Sequence, residues 1–172
     1  MRQIKINSTT GNEILTAQEV KDYVRIDTAS DDNIISAMIT QARIWCENYI
    51  SRDIVGKNRT YYLPTTNGVF DLPFGPVEII STVNVSGTNT TAFEVLGLDN
   101  ETIELDGGGA ERVKVTYITT GLNDSLIKQA MLQLISTYYD NRADFESGSS
   151  KEVSEIPTNT KVILTSYKTM FL

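Results

Sequence analysis

The apolar and polar positions of this chain follow two rhythms. Near both ends they recur every three or four residues, and in the middle they alternate. The strongest helical signal of the C-terminal half is Asn123–Glu146, where Leu126, Ile127, Ala130, Met131, Leu134, Ile135 and Tyr138 form one wide stripe. Asn123 or Asp124 can cap its start, because a short side-chain oxygen accepts from an otherwise unpaired backbone N–H. A helix from about Ser125 to Arg142 is roughly 27 Å long at 1.5 Å per residue. A second stretch, from about Asp31 to Ile50, places Ile34, Ile35, Met38, Ile39, Ala42, Trp45, Cys46, Tyr49 and Ile50 on one side. Ser30 is its cap, and Asp31 and Asp32 sit where the helix dipole favours negative charge. A shorter helix precedes it. Thr16 and Glu19 have the spacing of a capping box, and Val20, Tyr23 and Val24 supply an apolar face before the polar turn Thr28–Asp32.

Between the long helical stretches the period is two. Arg59–Leu63, Val69–Leu72, Val77–Val85, Phe93–Leu96, Thr102–Leu105 and Arg112–Ile118 are rich in Val, Ile, Thr, Tyr and Phe. Turn residues separate them, among them Asn67-Gly68, Gly75-Pro76, Asp99-Asn100 and Gly107–Gly109. Ile4 and Ile6 also alternate and suit an edge strand or an arm. After the last long helix, Ala143–Glu155 is polar and acidic and reads as a loop. A short helix is expected around Asn159–Tyr167, with Val162, Ile163 and Tyr167 sharing a face. The expected fold is α+β: a helical bundle built on two long helices, with an inserted antiparallel β meander or small sandwich and a C-terminal arm. As one domain over 1–172, it divides into helices (15–50), β insertion (57–118), long helix (123–144) and loop with arm (145–172).

Composition narrows the function. The 172 residues suffice for one core. No apolar run approaches the ~20 residues that cross a bilayer, so no membrane role is expected. The N-terminus lacks the apolar core of a signal peptide. The single Cys46 lies on an apolar helical face and excludes an intramolecular disulfide, which fits folding in a reducing cytoplasm. The formal net charge is −7, and there is no histidine. That balance speaks against a protein that grips nucleic-acid phosphates, and it removes the usual general base and commonest metal ligand.

The remaining chemical candidates read more simply as structure. Asp31, Asp32 and Asn33 lack the alternation and terminal Glu of a calcium loop and serve as helix capping. Asp140 and Asp144 could share a cation, but no third ligand stands beside them. Gly107-Gly108-Gly109 precedes a strand, not the helix a phosphate cradle needs, so it is a hairpin turn. Asn58-Arg59-Thr60 fits a glycosylation triplet with no secretion signal to support it. Cys46 has no His to activate it, and Trp45 is core. No catalytic constellation survives, and no cofactor or metal is expected. A small cytosolic enzyme would need convergent carboxylates, which the chain does not offer.

Four stretches carry a resemblance. Leu15–Asp27 (LTAQEVKDYVRID) ends in Arg–hydrophobic–Asp. Asp31–Ile35 continues to Ala42-Arg43 and Glu47–Tyr49. Leu72–Val77 reads LPFGPV, and Tyr139–Arg142 reads YDNR. In this order and spacing they resemble the gp6-like head–tail connector (adaptor) proteins of long-tailed bacteriophages, in the branch with a β insertion. The final Val162-Ile163-Leu164…Tyr167 is similar to the family's closing segment. The likeness spans about residues 15–167. It departs at Leu122-Asn123-Asp124, where the family often has a Pro, and at the long loop 143–155.

The resemblance implies a mechanical part rather than an enzyme. Such proteins form a homo-oligomeric ring, a dodecamer, under the portal protein in the virion neck, after assembly in the host cytoplasm. The ring extends the DNA channel, lets DNA pass without specific binding, and is the platform for a stopper or tail-completion protein. Portal docking maps onto the segment after Pro157, with Val162, Ile163, Tyr167, Met170, Phe171 and Leu172 as anchors. The alternative reading is another virion neck or tail-completion protein. Those tend to be mainly β, which the two long helices oppose.

Overall fold

A computed structural model describes residues 1–27, 30–141 and 158–168. They fall into two compact units. One is built from Met1–Asn12 and Ser51–Leu122, and the other from the described parts of Glu13–Ile50 and Asn123–Thr169.

The first unit is a β sandwich. Its strands are β1 (Gln3–Thr9), β2 (Lys57–Thr66), β3 (Val69–Asp71), β4 (Val77–Val85), β5 (Thr88–Thr90), β6 (Phe93–Leu96), β7 (Thr102–Leu105) and β8 (Ala110–Thr119). They make a five-stranded sheet in the order β1-β2-β8-β4-β5 and a three-stranded sheet in the order β3-β7-β6. All their pairings are antiparallel. Three sequence-expected strands, Val77–Val85, Phe93–Leu96 and Thr102–Leu105, have the same limits in the structure. The alternation places Tyr61 opposite Val115 and Leu63 opposite Val113. These side chains pack with Phe70, Leu72, Val83, Ile103, Leu105 and Tyr117 into the core. Burial of apolar area of this kind is the main favourable contribution to such a unit. Two bulges interrupt β4 against β8, between Val77 and Ile79 and between Ile80 and Thr82. Ile4 and Ile6 do lie on an edge strand, and every residue of β1 is exposed.

The second unit is helical: α1 (Ala17–Val24), α2 (Asp32–Ile50), α3 (Ser125–Asp140) and α4 (Thr158–Thr165). The capping box is formed. Glu19 N–H donates to Thr16 Oγ1 at 3.2 Å, and Thr16 N–H donates to Glu19 Oε2 at 2.7 Å. Arg25 then ends α1 in the left-handed region at φ 62°. Asp124 caps α3, accepting from the Leu126 N–H at 2.7 Å. Val20, Ile35, Met38, Ile39, Ala42, Cys46 and Ile50 are buried with Ile127, Ala130, Met131, Leu134 and Ile135. The stripes run narrower than the sequence pattern suggested. Ile34 is 44% exposed and Leu126 52%, because each sits one step round from the residue that faces the core. α3 stops at Asp140, two residues short of Arg142.

Candidate docking surface

The expected anchors on the C-terminal segment divide three ways. Met170, Phe171 and Leu172 lie outside the described residues, as does the expected loop at 143–155. Ile163 and Tyr167 are half-buried, whereas Val162 is 66% exposed. α4, which carries Val162 and Ile163, packs on α3 through a different pair. Leu164 is fully buried, and the buried Thr160 hydroxyl lies 3.4 Å from the Ala130 carbonyl oxygen and 3.3 Å from Gln133 Oε1. The Tyr167 hydroxyl donates to Asp124 Oδ1 at 2.6 Å, so it meets the residue that caps α3. That bond, with the Leu126 N–H, holds the Asp124 carboxyl below the usual carboxylate range and raises the Tyr167 hydroxyl. Tyr49 of α2 completes the seat. Its hydroxyl lies 3.3 Å from Thr165 Oγ1, and Lys168 Nζ stands 5.1 Å from its ring centre. Trp45, expected in the core, is half-buried and stacks on Tyr49 with ring centres 5.2 Å apart.

Elsewhere the helical unit uses its charges structurally. Asp31 accepts from the Tyr139 hydroxyl at 2.6 Å, and Asp32 pairs with Lys21. The buried Arg43 donates from Nε to both Glu13 oxygens, at 3.0 and 2.8 Å, and from Nη1 to Glu47 at 2.9 Å. Burial alone would lower its pKa, but the two glutamates outweigh that and raise it. The Cys46 thiol is buried and pushed up to about 12, chiefly by desolvation, which removes the thiolate a nucleophile needs. Gly107–Gly109 is a turn between β7 and β8, with Gly108 at φ 73° and its N–H donating to the Leu105 carbonyl at 3.0 Å.

A further cluster lies in the sandwich, and the sequence reading missed it. Asp53 is fully buried, and its carboxylate accepts four bonds: Arg59 Nε at 2.8 Å, Arg59 Nη2 at 2.6 Å, Lys57 Nζ at 2.9 Å and Thr119 Oγ1 at 2.7 Å. Burial would raise its pKa, but Arg59 and Lys57 outweigh that and lower it. The Arg59 guanidinium also lies 4.0 Å from the Phe74 ring centre. The signal was present in β2. Lys57 and Arg59 share the inward side with Tyr61 and Leu63, and a charge on the apolar side of a strand must find a buried partner. Nearby, Arg52 donates to Gly75 O at 3.1 Å and to Asp99 at 2.9 Å, which ties the chain before β2 to the turn before β4 and to the connection between β6 and β7.

Convergent catalytic groups do not emerge from these contacts. A hollow of about 840 Å³ beside β1 and β3 has one acid, Asp71, and one base, Arg2, in its lining. Among the described residues, no group of three or more His, Cys, Asp or Glu is placed to hold a metal ion, and no helix is long and apolar enough to cross a membrane.

The fold is similar to that of proteins in assembled particles. One solved structure is described as the neck of an empty GTA particle computed with C6 symmetry. It is 16% identical with a TM-score of 0.70, and the match covers 99% of this chain and 97% of that one. Another, the neck of a native GTA particle computed with C12 symmetry, is 15% identical with a TM-score of 0.71 and the same coverage. A third comes from the virion of a native gene transfer agent (GTA) particle, at 15% identity and a TM-score of 0.70, again covering 99% and 97%. Identities this low speak for the fold. Curated proteins give no match. The family model of phage gp6-like head-tail connector proteins matches residues 15–104, which takes in α1, α2 and most of the sandwich. With just over half of its length matched, the chain belongs to the phage gp6-like head-tail connector protein family.

Proposed function

We propose that this head-tail connector works as the adaptor ring of a virion neck. Identical copies, twelve as in the assembly the resemblance implies, surround the DNA path below the portal protein and offer a platform to a stopper or tail-completion protein. The observation that carries this reading is the family match over residues 15–104. The likeness in fold to neck proteins over nearly the whole of both chains supports it. The chain acts as one adaptor domain, in which the long helices α2 and α3 bracket the sandwich along the chain and α4 leads into the docking arm. It is a mechanical part, not an enzyme. The net charge of −7 suits a duct wall, since like charge keeps DNA from adhering.

In this reading the exposed Val162 and the terminal Met170, Phe171 and Leu172 meet the portal. Deleting everything after Pro157 would be a poor test, because it strips the buried Leu164 and Thr160 from α3. A chain ending at Lys168 and a full chain with Val162→Asp keep those contacts. Both should retain wild-type circular dichroism and fail to co-sediment with purified portal. Normal portal binding by both would refute the docking assignment. Counting copies on isolated necks tests the ring itself, and a copy number unrelated to the portal's, or a position away from it, would favour another neck or tail-completion role.

A further inference from the structure

The two outer faces of the sandwich carry opposite charge. On the three-stranded sheet, Glu94 of β6 stands directly opposite Glu104 of β7. Asp71 of β3 is on the same side, opposite Thr102, whose hydroxyl donates to it at 2.6 Å. The alternation with the buried Phe70, Ile103 and Leu105 turns all three acids outward, and all three are exposed. β3, β6 and β7 contain no Lys or Arg. Two carboxylates directly opposite one another on a sheet repel, and neither Glu94 nor Glu104 takes part in the ion pairs found among the described residues. Val69 and Leu96, 45% and 37% exposed, lie beside them on this face.

On the five-stranded sheet the outward side of β1, β2 and β8 is cationic, while the exposed Glu78 lies apart on β4. Lys5 of β1 is opposite Thr60, and Lys114 of β8 is opposite Tyr62, so the two lysines flank β2. Their backbones lie two strand spacings apart and two residues out of step along the strands, about 12 Å. They border a hollow of about 770 Å³ that also takes in Asn7, Thr60 and Tyr62. The outward positions of β1, β2 and β8 contain no acid. Asn7 Nδ2 donates to Asn58 Oδ1 at 2.7 Å and to Thr60 Oγ1 at 2.8 Å, so the polar floor of the hollow is already ordered.

We infer that these faces join one copy to the next: Glu94 and Glu104 of one subunit enter the hollow between Lys5 and Lys114 of its neighbour. This rests on the ring reading above. Two different patches on opposite faces of one unit make a head-to-tail interface, the kind that closes into rings, whereas a two-fold dimer needs one self-complementary patch. The lysines relieve the repulsion between the two glutamates, and Val69 and Leu96 gain cover from Tyr62.

The test uses two full-length variants, Lys5→Glu/Lys114→Glu and Glu94→Lys/Glu104→Lys, followed by sedimentation velocity and native mass spectrometry at low salt and by occupancy on necks. All four residues are exposed, so circular dichroism should match wild type. Each variant alone should associate about a hundredfold or more weakly, because like charges then face each other. Mixed, the two variants should recover rings that contain them in equal number, since each reversed face finds its complement on the other. The neutral variants Lys5→Gln/Lys114→Gln and Glu94→Gln/Glu104→Gln, which cannot repel, should weaken rings less. Unchanged assembly of both reversed variants, or no recovery on mixing, would overturn the interface while leaving the ring intact. Wild-type necks without a multi-copy ring would overturn the ring reading and this interface together.

Discussion

Replacing Asp53 by Asn exchanges one oxygen for a nitrogen, yet it should destabilise the sandwich severely. The carboxylate is fully buried and answers two cations that are themselves only 3% and 5% exposed at their side chains. Removing one partner from such a cluster leaves a buried charge without its counter-charge, at a cost of about 3–5 kcal/mol. Asn keeps one acceptor oxygen but turns an NH₂ toward Arg59 or Thr119, so about 3 kcal/mol is a fair expectation. With a slope of about 2 kcal/mol per molar urea, the midpoint should fall by about 1.5 M. Far-UV circular dichroism in urea measures that, and hydrogen exchange in β2 and β8 localises it. The acid limb adds a check. Because the folded pKa of Asp53 is depressed, its stabilisation is present above the unfolded carboxylate pKa of about 3.9 and is lost as pH falls through the folded value. The wild type should therefore lose stability below about pH 4 more steeply than Asp53→Asn. A midpoint shift under about 0.5 M, with parallel acid limbs, would refute the cluster's role.

Smaller perturbations have equally definite outcomes. Thr16→Ala removes the side-chain half of the capping box, leaving the Thr16 N–H to Glu19 bond, and should cost about 1 kcal/mol, read as a lower urea midpoint and faster exchange in α1. Cys46 should resist a thiol reagent in the folded protein at about pH 8 and react at once in denaturant. Its folded pKa lies above the unfolded one, so stability should fall as pH rises from about 8.5 toward about 12. Tyr167→Phe removes the largest cause that holds Asp124 low, so the Asp124 carboxyl, followed by NMR, should titrate at higher pH in the variant.

Most strands were legible because one face of each is buried, which writes the alternation into the sequence. Val113, Val115 and Tyr117 all point inward, as their spacing required. Where neither face is buried, the signal fades. β5 is three polar residues, Thr88–Thr90, held by pairing with β4, and its sequence could equally have been a loop. The Asp53 cluster was hidden for another reason. Its members come from the chain before β2, from β2 and from the end of β8, with Asp53 and Thr119 separated by 66 residues. Nothing local links them, and only the charged inward positions Lys57 and Arg59 gave a hint.

The C-terminal helix shows how an apolar count can select the right element and the wrong face. Val162 and Ile163 of the helix read as one stripe with Tyr167, which follows its end at Thr165, and Leu164 falls outside that stripe. At about 100° per residue, however, Val162 sits roughly 200° round from Thr160, whereas Leu164 and Ile163 lie within about 60° of it. The seat on α3 is centred on Thr160 and Leu164, and Val162 is left outside. The side chains that hold the helix are therefore different from those free to meet a partner. Docking through Val162 needs no change in α4. Docking through Tyr167 would first have to break its bond to Asp124, and with it one of the hydrogen bonds to the carboxylate that caps α3. Among the proposed anchors in the described residues, Val162 is thus the one whose use would leave the helical unit as it stands.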